Sequence, residues 1–134
     1  MSDSISKCRE PLRSMLTALD SWVTTNYPAV VVHELNSMDK EGWIDYAVLD
    51  GLGKEVTFAG ARFRRDKPMG MTAVLSAKPE RDPEEWVHAD IGKVRRLGFA
   101  FGLPRPFQKT VSQDEWQYVF DLVAQAYAAA VAEA

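Results

Sequence analysis

The fold is decided by residues 29–77, AVVVHELNSMDKEGWIDYAVLDGLGKEVTFAGARFRRDKPMGMTAVLSA. Short runs rich in β-branched and aromatic residues alternate here with clusters of Asn, Asp, Gly and Pro, the pattern of strands separated by reversals. Four strands are predicted, at Ala29–Leu35, Trp43–Leu49, Glu55–Arg64 and Met71–Ala77. Asn36–Gly42, Asp50–Lys54 and Asp66–Gly70 supply the turns, and connections this short join antiparallel neighbours in a meander. Ala59 and Gly60 interrupt the alternation of the third run, so a bulge there is expected to bring Phe58 and Phe63 onto one face despite their odd spacing.

Helical periodicity flanks this stretch. Upstream, Ile5, Cys8, Leu12, Met15, Leu16, Leu19, Trp22 and Val23 recur at steps of three and four and form one apolar stripe. Proline suits only a first helical turn, so the regular helix is expected to start at Glu10 or Pro11, with Asn26, Tyr27 and Pro28 ending it. Downstream, Asp82-Pro83-Glu84-Glu85 has the form of a helix start; a short helix to Gly92 would turn Trp86, Val87 and Ile91 inward. A fifth strand follows, in which Leu97, Phe99, Phe101 and Leu103 alternate with Gly98, Ala100 and Gly102. Its bare face invites a helix to pack closely. A last helix opens on the reciprocal pair Ser112 and Glu115, with Val111 and Trp116 as a hydrophobic staple and a stripe of Trp116, Phe120, Val123, Tyr127 and Val131.

These elements predict an α+β fold over residues 1–134 as one domain. The order is α-β-β-β-β-α-β-α, with a twisted antiparallel sheet of about five strands on which the N- and C-terminal helices pack. The composition agrees: 134 residues, 46% hydrophobic and 26% charged, describe a folded domain rather than a disordered or disulfide-stapled chain. One cysteine, Cys8, and two histidines, His33 and His88, are too few for the usual structural zinc sites. The N-terminal residues lack the apolar run of a secretory signal, and no stretch reaches the roughly 18 apolar residues of a membrane span, so a cytoplasmic protein with no membrane partner is expected.

Asp50-Gly51-Leu52-Gly53-Lys54 has the wrong glycine spacing for a phosphate loop and is followed by Glu55 where Ser or Thr is required, so a hairpin turn is expected. Asp45, Asp50 and Glu55 cluster near that hairpin, but Val56 and Thr57 follow in place of a supporting lysine, which favours solvated carboxylates over a metal site. His33 has only Glu34 as a neighbouring acid, and adjacent strand residues point to opposite faces. His88 among Glu84, Glu85 and Asp90 reads as a surface histidine. Cys8 reads as a small buried hydrophobe with no cation nearby to hold a thiolate. Trp22 and Trp116 are assigned to the core, leaving Trp43 as the tryptophan open to a surface role. No catalytic residue, cofactor or metal is therefore assigned, although a site assembled from Asp45, His33 or His88 across the sheet stays open.

Charge gives the main functional signal. Residues 1–53 carry four basic and eight acidic residues, residues 54–109 twelve and seven, and residues 110–134 none and four. The basic middle block contains Arg62, Arg64, Arg65 and Lys67, with Arg95 and Arg96 beside them if the strands are neighbours; Arg62 and Arg64 share one side of a strand. Guanidinium groups grip carboxylates and phosphates by paired hydrogen bonds. In outline, a short acidic α+β chain ending in a long amphipathic helix is similar to type III secretion chaperones and toxin-neutralising immunity proteins, a resemblance of size and element order that carries no site residues. The expected function is a nonenzymatic protein-binding module, inhibitor, immunity protein or chaperone-like, acting on another protein, an acidic one included, through a charged sheet or hairpin surface that carries Trp43 and the basic residues. The alternative is an anion-recognising domain that binds a nucleotide or nucleic acid through the same arginines. A homodimer is compatible with either.

Overall fold

A computed structural model describes residues 3–34, 40–89 and 97–133. The N-terminal stripe folds in two pieces, one turn of helix α1 (Asp3–Ser6) and the regular helix α2 (Leu12–Asn26). Pro11 stands just before α2, where its missing N–H is harmless. The Glu10 carboxylate accepts the Ser14 backbone N–H at 2.8 Å as well as the Ser14 hydroxyl, satisfying one of the donors that a helix start leaves over. These hydrogen bonds hold the Glu10 carboxyl below its usual range.

Among the described residues six strands form one antiparallel sheet: β1 (Val31–Glu34), β2 (Glu41–Leu49), β3 (Glu55–Arg64), β4 (Met71–Leu75), β5 (His88–Ala89) and β6 (Phe99–Leu103). Their spatial order is β1-β2-β3-β4-β6-β5. Helix α3 (Gln113–Glu133) closes the described chain. The α+β architecture with terminal helices on an antiparallel sheet matches the expectation, as does the meander. β1 starts at Val31 rather than Ala29 because the Val30 N–H turns back to the Tyr27 carbonyl at 2.9 Å; Leu35 lies outside the described residues. The predicted bulge is present one residue earlier than expected. Tyr46 faces Ala59 but Ala47 faces Thr57, so Phe58 is the extra residue, and Phe58 and Phe63 are both buried.

The helix predicted after Asp82 is absent among the described residues, and Ile91 and Gly92 lie outside them. The start signal is real but closes only one turn. Asp82 accepts the backbone N–H groups of Trp86 and Val87 at 3.0 and 2.8 Å, and Glu85 takes a left-handed φ of 54°, which ends any helix. The chain then pairs as β5. Trp86 is buried as expected. Tyr118 of α3 donates its hydroxyl to Asp82 and accepts the Glu84 N–H at 2.9 Å, fastening this loop to the helix.

The three helices among the described residues share one side of the sheet. Leu12, Leu16, Leu19 and Val23 of α2 meet Ile44, Tyr46, Phe58, Ala61, Leu75 and Phe101, and the Tyr46 hydroxyl donates to Asp20 at 2.8 Å. The buried stripe of α3 is Val119, Leu122, Val123, Ala126 and Ala130, displaced from the one predicted. The small residues let the helix approach β3 closely, while Trp116, Phe120 and Tyr127 fall half-buried on its flank. There Phe120 stacks on Trp22 at 4.6 Å and Tyr127 on Tyr27 at 3.7 Å, joining the two long helices through aromatic rings. Trp22 and Trp116 are thus half-buried rather than core residues. The capping box at Ser112 and Glu115 forms as predicted, at 2.9 and 3.1 Å. In β6 the large side chains Phe99, Phe101 and Leu103 face the helices, and the bare face does not. Leu97 lies with the bare side, buried against Val74 and Ala100. No helix among the described residues is long and apolar enough to cross a membrane.

Candidate functional site

The site is built on the sheet face turned away from the helices. Antiparallel register puts Trp43, Arg62, Thr72 and Gly102 opposite one another in a single row across β2, β3, β4 and β6. Cross-strand partners share a face, so this row presents an aromatic plate, a guanidinium, a hydroxyl and an empty glycine position side by side. The bulge at Phe58 is what aligns them. A regular hairpin from Leu49 and Glu55 would set Trp43 against Ala61, and the extra residue moves Arg62 into that place. A groove of ≈ 700 Å³ lies over the row, with Glu41, Arg64, Lys67 and Pro104 along its margins.

At the groove floor Arg62 and Asp45 form an ion pair, Nη1 to Oδ1 at 2.7 Å, with side chains only 15% and 8% exposed. The same Nη1 donates to the Ala61 carbonyl at 3.1 Å, and the guanidinium lies 5.9 Å from the centre of the Trp43 ring, which is itself half-buried. Gly60 makes room for the pair. A Cβ at that position would fall on Asp45 Oδ1 and the Ile44 carbonyl, so only hydrogen fits beneath the carboxylate. A Cβ at Gly102 would meet nothing within 4 Å.

The other basic residues divide. Arg64 is exposed and bonded through Nε and Nη2 to Asp66 at 3.1 and 3.3 Å, with Glu41 3.4 Å from Nη1. The Asp66 hydrogen bond raises the Arg64 pKa, and the same bond lowers that of the Asp66 carboxyl. Lys67 is exposed at the groove margin. Arg65 leaves the patch: it is half-buried, and its guanidinium lies beside the Cys8 thiol on the other side of the sheet. The expectation that no cation approaches Cys8 is therefore corrected. Burial nevertheless raises the Cys8 pKa against the opposing influence of Arg65 and Arg13, and the thiol donates to the Ser4 carbonyl at 3.3 Å, so it stays protonated and inert. Arg95 and Arg96 lie outside the described residues.

The histidines and Asp45 do not form a common centre. His33 and Asp45 are register partners, but His33 Nε2 lies 2.7 Å from Glu55 Oε2 while Asp45 is held by Arg62. His88 sits opposite Ala100, four strand spacings or roughly 19 Å from Asp45. Among the described residues no group of three or more His, Cys, Asp or Glu side chains could hold a metal ion. The Asp50–Lys54 segment is a hairpin turn as read. Asp50 Oδ1 accepts the N–H groups of Leu52 and Lys54, both at 2.8 Å, and Gly53 supplies the left-handed φ of 80°. Four participants escaped sequence reasoning: Asp45 as the partner of Arg62, Gly60 beneath it, Thr72, and Gly102. A glycine inside a strand signals close approach or open space, and Gly60 is an instance of one and Gly102 of the other.

Compared with known proteins, the chain matches no family model, and neither a curated protein nor a solved structure is significantly similar to it.

Proposed function

We propose that this chain is a nonenzymatic protein-binding module that takes a segment of another protein against the open face of its sheet. The observation that carries the reading is the row of Trp43, Arg62, Thr72 and Gly102 beneath a ≈ 700 Å³ groove on a face that no described helix covers. Tryptophan and arginine are the side chains most often found as energetic anchors of interfaces. The mixed signs of the lining, Glu41 and Asp45 with Arg62, Arg64 and Lys67, suit the polar and apolar surface of a protein segment. They suit a nucleotide or nucleic acid less well, because Arg62 is already held by Asp45 and Arg64 by Asp66 and Glu41. An inhibitor, immunity or chaperone-like role in the cytoplasm is the setting in which such a module acts.

Affinity purification of the tagged chain from its native source, beside a Trp43→Ala, Lys67→Glu double variant, tests the reading. Trp43 and Lys67 are solvent-accessible, so the variant keeps the core intact. A specific protein should copurify with the unaltered chain and bind the variant roughly 30-fold or more weakly, the effect of losing one interface anchor. Recovery of no specific protein, or equal recovery by both chains, overturns it.

A further inference from the structure

We propose that the groove is built for an acidic anchor: an extended segment of the partner places an aspartate or glutamate carboxylate over Arg62 and, two or three residues along, an apolar side chain over Gly102. The inference rests on the open-face reading above and names the chemistry of its partner.

Packing does not explain the ion pair at the groove floor. Asp45 and Arg62 are both nearly sealed from solvent, yet they sit on the face without helices, and removing two charges from water costs more than their attraction commonly returns. Gly60 is given up to make the pair fit. What the arrangement achieves is orientation. Both hydrogen bonds of the guanidinium among the described residues leave from Nη1, to Asp45 and to Ala61, so the plane of Arg62 is held and its other edge is presented to the groove. A fork fixed in this way loses little freedom when a second carboxylate meets its remaining N–H groups. The Trp43 ring lies beside the guanidinium, 5.9 Å from its Cζ, where the negative face of the ring favours the positive charge.

Charge balance points to one carboxylate rather than a chain of phosphates. Within the groove Asp45 is held by Arg62, and Glu41 shares Arg64 with Asp66. With Asp66 counted, the three cations Arg62, Arg64 and Lys67 equal the three carboxylates, and Lys67, in no ion pair among the described residues, is left to face a single incoming negative group. A polyanion would set further negative groups against Glu41 and Asp45. The apolar half of the anchor follows from Gly102, whose Cβ direction is open, with Pro104 beside it. Arg62 and Gly102 are two strand spacings apart, roughly 10 Å; two residues of extended chain span about 7 Å, and the length of a glutamate side chain covers the rest.

The test is a titration of the full chain with the capped peptide acetyl-Ala-Glu-Thr-Leu-Ala-amide. It is followed by the indole N–H resonance of Trp43, assigned with Trp43→Phe. The Trp43 signal should move saturably, and the same peptide with glutamine for glutamate should bind roughly tenfold or more weakly. Replacing Arg62 would leave Asp45 unpaired and risk the fold, so the protein-side variant is Gly102→Leu, which fills open space; it should keep its thermal midpoint and weaken the glutamate peptide by roughly tenfold. No movement of the Trp43 resonance at millimolar peptide, equal binding of the glutamine peptide, or indifference to Gly102→Leu overturns the proposal. So does tighter, steeply salt-dependent binding of a single-stranded oligonucleotide at the same residues, or self-association that Gly102→Leu abolishes. A partner captured by the unaltered chain and lost with the Trp43→Ala, Lys67→Glu variant, but not displaced by the glutamate peptide, removes the acidic anchor while leaving the open-face reading standing.

Discussion

On one side of the sheet Ile44, Tyr46, Phe58, Ala61, Leu75 and Phe101 are sealed beneath two long helices; on the other, the same strands hold Trp43, Arg62, Thr72 and Gly102 around a groove. Apart from the bulge at Phe58 the residues alternate one by one, so the two faces differ in what covers them and not in where they fall in the chain. The covered face is filled by shape, with small residues of α3 where the helix comes closest. The groove side is organised by a held charge, which needs a partner atom and a missing side chain in fixed places. The first should fail by losing volume and the second by gaining it.

The largest expected effect tests the covered face. Phe58 is fully buried against Tyr27 and Tyr127, and Phe58→Ala should cost about 3–5 kcal/mol in denaturant unfolding, lowering the midpoint without changing the slope. A loss under about 1 kcal/mol would mean that the aromatic cluster does not close the core there. The groove face is tested by adding one carbon. Gly60→Ala would push on Asp45 and the Ile44 carbonyl and should cost about 1–3 kcal/mol, whereas Gly102→Ala, opening into free space, should be neutral or stabilise by up to about 1 kcal/mol. Equal effects at the two glycines would erase the distinction drawn between them.

The loop that carries β5 belongs to the covered side through Asp82 and Tyr118. Partial burial raises the Asp82 pKa, but hydrogen bonds from Tyr118, Val87 and Trp86, together with the nearby Arg105, outweigh it and hold the carboxyl below its ordinary range. Tyr118 is pushed up to about 12, chiefly by burial and by its bond to Asp82. A carboxyl depressed in the folded chain contributes stability above its ordinary pKa and loses it as pH falls through the folded value. Unfolding midpoints measured from roughly pH 5 to pH 2 should therefore fall more steeply for the unaltered chain than for Asp82→Asn, which at neutral pH should be about 1 kcal/mol less stable. Parallel acid profiles would show that Asp82 does not fasten the loop. The smallest effect is expected at Arg64. Its ion pairs with Asp66 and Glu41 are exposed and screened, so Arg64→Gln should leave the thermal midpoint unchanged.

Much of this architecture was legible because it depends on local signals. Period-two runs, turn residues and the Ser112 and Glu115 box each act within a few positions, and the meander and α3 followed from them. The Asp82 loop shows where local signals mislead: a cap and a proline begin one turn, but the tertiary bond to Tyr118 and the left-handed Glu85 send the chain into a strand. The site was legible only in part. Trp43, Arg62, Arg64 and Lys67 do line the groove, whereas Arg65, next in sequence, turns to Cys8. Asp45 could not be matched to Arg62 from sequence, because their meeting depends on which residue of β3 is the extra one, and a shift of one position changes every partner beyond it.

That extra residue carries a consequence for how this gene can vary in length. Loss of one codon inside a paired strand ordinarily exchanges inside for outside along everything downstream. At Phe58 the omission would leave Thr57 facing Ala47 and Ala59 facing Tyr46, as they already do, so the damage is confined to the missing ring. Natural single-residue deletions in β3, where they exist, should collect at this one position, paired with a larger side chain from Tyr27 or Tyr127 that reclaims the vacated volume.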